Sequence, residues 1–182
     1  KASNWKETAR YAELLLSTSG LTADEEREAT LNRAIANSHL GNGTKAQTDL
    51  KRLAADVQTE QGAQAAVELA RLQYATKSYK AAEKTLNALI DAGTPHYYWL
   101  GQGFILLSDI YNAQGKTFEA CEYLESLKAN YPGKDKETFN AIELRLNKWK
   151  RNGKAASQKA ATSKQSKKGR NQSADNKSSR QR

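Results

Sequence analysis

Alanine recurs at nearly regular intervals along this chain, and that recurrence restricts its fold more than any other feature. Successive intervals between Ala12, Ala46, Ala82 and Ala120 are 34, 36 and 38 residues. Leucines follow the last three alanines by four and seven residues, at Leu50 and Leu53, Leu86 and Leu89, Leu124 and Leu127. Residues spaced in this way share one face of a helix. A period of 34 to 38 residues therefore predicts an array of helical repeats.

The rest of the sequence predicts helices separated by short turns. Proline occurs 2 times and glycine 11 times in 182 residues, while alanine, leucine, glutamate, lysine and glutamine dominate. Thr22 followed by Glu25 has the pattern of a capping box at a helix start. The expected helices span about 4–20, 22–40, 44–60, 61–76, 78–92, 94–114, 116–130 and 135–151. Short gaps between them imply antiparallel neighbours, so we expect an all-α chain.

The clearest unit resembles the tetratricopeptide (TPR) signature. Its residues are Phe104, Leu107, Ser108 and Tyr111, then Gly115, Ala120, Leu124, Leu127 and Pro132. The resemblance implies a TPR-like α-solenoid of antiparallel helix pairs. A half-repeat would cover about 3–20, full repeats about 22–60, 61–93 and 95–132, and a capping helix about 135–151. Residues 99–120 further resemble the C-terminal end of long bacterial TPR proteins of the Bacteroidetes type, which would place the chain in the cell envelope. With no methionine at position 1, we expect a piece of a longer protein.

Charge divides the chain in two. From Lys148 onward there are 12 lysines and arginines and a single acidic residue, Asp175, whereas residues 1–147 carry 17 basic and 19 acidic residues. The segment 152–182 has no aromatic residue and no valine, isoleucine or leucine. We therefore expect a disordered, Lys/Ser/Gln-rich basic tail. Its lysines and arginines, among them Lys164, Lys167, Lys168 and Arg170, could bind nucleic acid or an anionic membrane surface.

Residues suited to catalysis or to a cofactor are scarce. Cys121 is the single cysteine, and the only histidines are His39 and His96, so neither a disulfide framework nor a metal site is expected. Gly101-Gln102-Gly103 lacks the preceding strand and the following residues of a phosphate-binding loop. We expect no enzyme activity, no cofactor and no small-molecule substrate.

The TPR resemblance implies a partner-binding concave face lined by the first helix of each pair. Carried over by position, its candidate residues are Leu31, Ile35, Ser38, Val67, Arg71, Tyr74, Ile105, Asp109 and Asn112. The run Tyr97-Tyr98-Trp99 is a second candidate, because three consecutive aromatic residues cannot all face inward on one helix. These rings either fill a gap between repeats or form an exposed hot spot. We expect a protein-binding scaffold, with polyanion binding through the tail as the alternative.

Overall fold

The computed structural model describes residues 4–151, which contain eight α-helices and no strand. Residues 4–142 form one compact unit, and residues 143–151 belong to a second. The helices are α1 (Trp5–Leu16), α2 (Ala23–His39), α3 (Gly43–Leu53), α4 (Glu60–Ala75), α5 (Tyr79–Asp91), α6 (Tyr97–Ala113), α7 (Thr117–Asn130) and α8 (136–151). The prediction of an all-α helical repeat is confirmed.

Successive helices from α1 to α7 pack against one another, as expected of an array of helix pairs. The pairs are α2 with α3, α4 with α5, and α6 with α7. The first helices of neighbouring pairs also touch, α2 with α4 and α4 with α6. Within residues 4–142 no such contact joins the second helices α3, α5 and α7. The first helices are therefore packed more closely than the second helices.

The recurrent alanines lie in the core of the array. Ala46, Ala82 and Ala120 are completely buried, and Ala12 nearly so. The leucines that follow them at four residues, Leu50, Leu86 and Leu124, are buried as well. A methyl side chain permits close approach of two helices, and the leucines one turn further on fill the space around it. The alanine period therefore corresponds to the packing period of the array.

The turn inside each pair has the same hydrogen bonding. A backbone N–H just after the turn donates to a carbonyl five residues earlier: Asn42 to Asn37 (2.8 Å), Ser78 to Gln73 (2.8 Å) and Lys116 to Tyr111 (2.9 Å). This bond is the signature of a Schellman cap, which requires a left-handed residue before the donor. Gly41 and Gly115 fill that position with φ of 79° and 82°, but the middle turn uses Lys77 with φ of 59°.

The loops between pairs differ from what the sequence suggested. The third helix ends at Leu53 instead of continuing to about residue 60. A turn follows it, in which the side chain of Asp56 accepts a hydrogen bond from the N–H of Gln58 (3.2 Å). The backbone carbonyl of Asp56 leaves room only for glycine at position 62, because a Cβ on Gly62 would clash with the carbonyl oxygen. Thr59 then caps α4 by accepting a bond from Gly62 N–H (3.1 Å).

The expected start of the sixth helix near residue 94 is also corrected, since α6 begins at Tyr97. Thr94 is buried, and its hydroxyl donates to the carbonyl of Val57 (2.7 Å). His96 contacts the carbonyl of Gln58 (3.0 Å), and the amide of Gln58 donates to the carbonyl of Ala92 (3.1 Å). These three bonds join the loop before α4 to the loop before α6. The loops that make these repeats longer than 34 residues are therefore hydrogen-bonded to one another.

Two further expectations concern helix ends. The capping box at α2 is confirmed: Thr22 Oγ1 accepts from Glu25 N–H (3.2 Å), and the Glu25 carboxylate accepts from Thr22 N–H (2.8 Å). In residues 143–151, which complete α8, Leu146 and Trp149 are buried while Leu144 is exposed. The role of α8 as a cap of the array stays a prediction, and the tail 152–182 lies outside the described residues.

Replacing Ala120 by leucine should lower the free energy of unfolding by about 1–3 kcal/mol, because three extra carbons must enter a filled helix crossing. Urea unfolding followed by circular dichroism measures the change. Ala129→Leu is the matched control, since Ala129 lies on the same helix but is exposed. It should change stability by less than about 0.5 kcal/mol. Equal effects of the two substitutions would contradict the proposed packing at Ala120.

Replacing Lys77 by glycine should raise the free energy of unfolding by about 0.5–1 kcal/mol. A left-handed backbone costs an ordinary residue about 1–2 kcal/mol, and the added freedom of glycine in the unfolded chain offsets part of that gain. The reciprocal variant Gly115→Lys should be destabilised by about 1 kcal/mol. Thermal unfolding of both variants checks the pair, and a loss of stability in Lys77→Gly would refute the strained turn.

Candidate functional site

The side of the array formed by α2, α4 and α6 is the candidate site because, among the helices of residues 4–142, equivalent helices of neighbouring pairs touch one another only there. We call it the first-helix face. It carries exposed or half-buried side chains from all three helices: Glu28, Ile35, Ser38, Gln64, Glu68, Arg71, Tyr74, Asp109 and Asn112. Stacked helices of this kind present a surface suited to an extended ligand.

Three of the predicted face residues do not lie on the surface. Leu31, Val67 and Ile105 are only 2%, 0% and 3% exposed. Leu31 packs in a cluster with Leu50 and Leu69, and Val67 packs in another with Leu89. At these positions the TPR resemblance implied contact with a partner, but apolar side chains there become core residues because burying them is favourable. These three residues are therefore corrected to packing residues.

The other six predicted residues remain accessible to different degrees. Arg71 is exposed, whereas Ile35, Ser38, Tyr74, Asp109 and Asn112 are half-buried. Asn112 is partly engaged, since its side-chain oxygen accepts a hydrogen bond from the Thr117 hydroxyl (2.9 Å). Tyr74 packs beside Tyr79, with ring centroids 5.6 Å apart. Arg71 is thus the most available charged group among the predicted residues.

Polar contacts connect the first helices across this face, and the pattern of residues does not predict most of them. The Arg71 guanidinium donates to the side-chain oxygen of Gln102 (3.3 Å) and lies 4.0 Å from the Glu68 carboxylate. At the other end, the amide of Gln61 contacts Glu28 at 3.5 Å. Gln102 also reaches the hydroxyl of Thr138 (3.5 Å). The i, i+3 spacing of Glu68 and Arg71 is visible in the sequence, but a partner on another helix is not.

The carboxylate of Glu68 has an unusual environment for a surface helix. Burial raises its pKa above the ordinary value, and the nearby charges of Arg71 and His39 partly oppose that rise. His39 lies at the end of α2 and is stacked on the ring of Trp5, with centroids 4.1 Å apart and planes 9° from parallel. The face therefore combines carboxylates, amides and one guanidinium. Such groups can bond a peptide backbone or a charged side chain.

The three consecutive aromatic residues point in different directions. Trp99 packs against the cluster around Val57 and Val67, although its indole N–H is buried without a hydrogen-bond partner among the described residues. Tyr98 packs edge-on to Trp99 at 4.9 Å, and burial together with the carboxylate of Glu137 raises its pKa. Tyr97 is 53% exposed. Trp99 thus fills space between repeats, and Tyr97 alone keeps the exposure required of a hot spot.

Other groups considered from the sequence have ordinary surroundings. Cys121 is half-buried on α7. Within residues 4–151, no cluster of three or more His, Cys, Asp and Glu side chains is arranged to hold a metal ion. In the same residues, none of the helices combines the length and apolar character that crossing a bilayer requires. The tail residues Lys164, Lys167, Lys168 and Arg170 lie outside the described part of the chain.

The packing of α2–α7 defines the class of this chain, an all-α helical-repeat protein. Residues 97–134, which hold α6, α7 and the loop that follows, match the family model of a tetratricopeptide repeat. The resemblance noted in the last unit is thereby confirmed for that segment. No curated protein and no solved structure matches the chain.

Proposed function

We propose that this chain is a non-enzymatic scaffold that binds a protein or peptide partner through the first-helix face. The observation that carries the proposal is the side-by-side contact of α2, α4 and α6, which produces a single surface from three repeats. The tetratricopeptide match at residues 97–134 supports the same role, since such repeats generally act in protein interactions. The narrower relationship to Bacteroidetes-type proteins remains a prediction.

The partner we infer is an extended peptide segment. The face offers hydrogen-bonding groups at several points along its length, among them Gln64, Arg71 and Asn112. An extended peptide exposes unpaired backbone N–H and C=O groups, which amide and guanidinium side chains can satisfy. The burial of Leu31, Val67 and Ile105 leaves polar side chains to make most of the contacts, so hydrogen bonds and charge should determine specificity.

Arg71 provides the most direct test. Peptides that bind the full chain would first be selected from a displayed library. Arg71→Ala should then weaken their binding by about tenfold or more, because arginines are frequent hot spots of interfaces. Arg52→Ala is the matched control: Arg52 on α3 is also exposed and bonds across to another helix, at Thr30 (2.9 Å). It should leave the Kd within about twofold.

Calorimetry on the same purified proteins gives the Kd values, and thermal melts verify that both variants are folded. Selected peptides that bind the two variants equally well would show that the first-helix face is not the site. Peptides that lose affinity only for the Arg52 variant would place the site on the second helices instead.

A second function is proposed for the basic tail because the positive charge is concentrated there, with 12 basic residues and one acidic residue from position 148 onward. Binding of the full chain to duplex DNA or to anionic vesicles should weaken steeply with salt, because each neutralised phosphate releases counterions. For DNA, a plot of the logarithm of the binding constant against the logarithm of the salt concentration should have a slope of about −0.9 per phosphate contact. Deleting residues 152–182 should abolish it. Salt-resistant or base-specific binding, measured by fluorescence anisotropy, would refute this mode.

A further inference from the structure

An apolar cavity lies between α6 and α7, away from the first-helix face. Its volume is about 210 Å³. Its walls are Tyr97, Leu100, Gly101 and Phe104 on α6, Tyr123, Ser126, Leu127 and Asn130 on α7, and Tyr131 and Pro132 in the loop after α7. On α6 the centre of this set lies roughly 130–150° around the helix from Gln102 and Asp109, and Asn112 lies about two turns beyond Phe104. A ligand here would not touch the first-helix face.

The aromatic side chains that form the cavity are fixed to different degrees. Tyr131 is held firmly: its hydroxyl donates to Asp135, and its ring packs edge-on to Phe139 at 5.7 Å. Burial and that hydrogen bond raise the pKa of Tyr131 to about 12, so it is neutral at physiological pH. Tyr97 and Tyr123 are 53% and 38% exposed, and the ring of Tyr123 is stacked on that of Tyr111 with centroids 5.2 Å apart. One wall is therefore rigid, and the entrance is lined by exposed tyrosines.

The size of the cavity limits what it can accept. Pockets for metabolites and drug-sized ligands have about 300–1,000 Å³, so a cavity of about 210 Å³ is small for them. It matches one bulky apolar side chain. No charged residue forms its wall, so a charged group inside would lose its hydration without compensation.

The edge of the cavity offers hydrogen bonds that a peptide backbone could use. The Asn130 side-chain N–H donates to the carbonyl of Ser126 (2.9 Å), and no hydrogen bond to its amide oxygen is seen among residues 4–151. In the described part of the chain, the Ser126 hydroxyl makes no hydrogen bond of its own. A donor and an acceptor next to an apolar hole are what a peptide needs to insert a side chain and satisfy its backbone.

Charge around the cavity is asymmetric. Glu119 lies one helical turn before Tyr123 on the same stripe of α7, and Glu122 lies one turn before Ser126. Lys116, further along that stripe, is placed over the ring of Tyr111, with its nitrogen 5.4 Å from the centroid. The exposed Lys134 follows the opposite end of the cavity, beyond Pro132. The end near the start of α7 therefore favours a basic residue in the ligand.

We propose that this cavity is a second binding site, which takes a peptide segment with one bulky aliphatic side chain flanked on one side by basic residues. The aliphatic side chain would enter between Tyr97, Phe104 and Tyr131. The basic residues would lie along α7, where they face Glu119 and Glu122. The site would act independently of the first-helix face and would allow the scaffold to hold two segments at once.

Three capped nonapeptides test the proposal on the isotope-labelled full chain by NMR titration. The first has a central leucine, two arginines on one side of it, and serine or glycine elsewhere. It should shift the amide signals of Tyr97, Ser126 and Asn130 with a Kd of about 1 mM or tighter. A peptide with serine in place of leucine should bind at least about tenfold more weakly. A peptide with glutamates in place of the arginines should bind several-fold more weakly.

Variants then locate the binding. Tyr97→Ala should weaken the leucine peptide about tenfold without unfolding the chain, since Tyr97 is largely exposed. Phe118→Ala is the matched control, because Phe118 is an exposed aromatic residue on α7 outside the cavity. Arg71→Ala should have no effect. Shifts confined to the first-helix face, equal binding of the leucine and serine peptides, or binding unchanged in Tyr97→Ala would each overturn the site. Equal binding of the arginine and glutamate peptides would overturn the role of charge.

Discussion

The close approach of neighbouring helices at buried alanines is the constraint on which the rest of the structure depends. Ala46, Ala82 and Ala120 have no exposed surface, so a larger side chain at any of them would force the two helices of its pair apart. Once the spacing of the helices is fixed, the leucines one and two turns further on must lie in the core. The helix faces left over are then also fixed, and they provide both the first-helix face and the cavity between α6 and α7.

Much of this fold could be predicted because its determinants are local. The capping box at Thr22 and the alanine–leucine spacing inside each second helix act within a few residues, so one sequence reveals them. The left-handed Lys77 has no such signal. Its conformation follows from the requirement that the middle pair close with the same turn as the other two, which is a property of the array rather than of the residue.

The site was predicted less well, for a physical reason. A positional template indicates which side of a helix faces inward, but it does not say which neighbouring helix covers that side. Leu31 and Val67 were expected on the surface and are core residues, because leucines of neighbouring helices, among them Leu50 and Leu89, pack in the same clusters. Conversely, the bond between Arg71 and Gln102 joins residues 31 positions apart. Long-range pairings of this kind depend on helix packing, so they appear only in the folded structure.

The hydrogen bonds between the loop before α4 and the loop before α6 have a mechanical consequence. They join Val57 and Gln58 to Ala92, Thr94 and His96, and so they pin together the amino-terminal ends of two neighbouring first helices. When α4 and α6 separate, their hydrogen-bonded amino-terminal ends stay together and their carboxyl-terminal ends move apart. The greatest displacement falls at the far ends, near Tyr74 and Asn112. A thick ligand would therefore be accommodated there and a thin one near the loops.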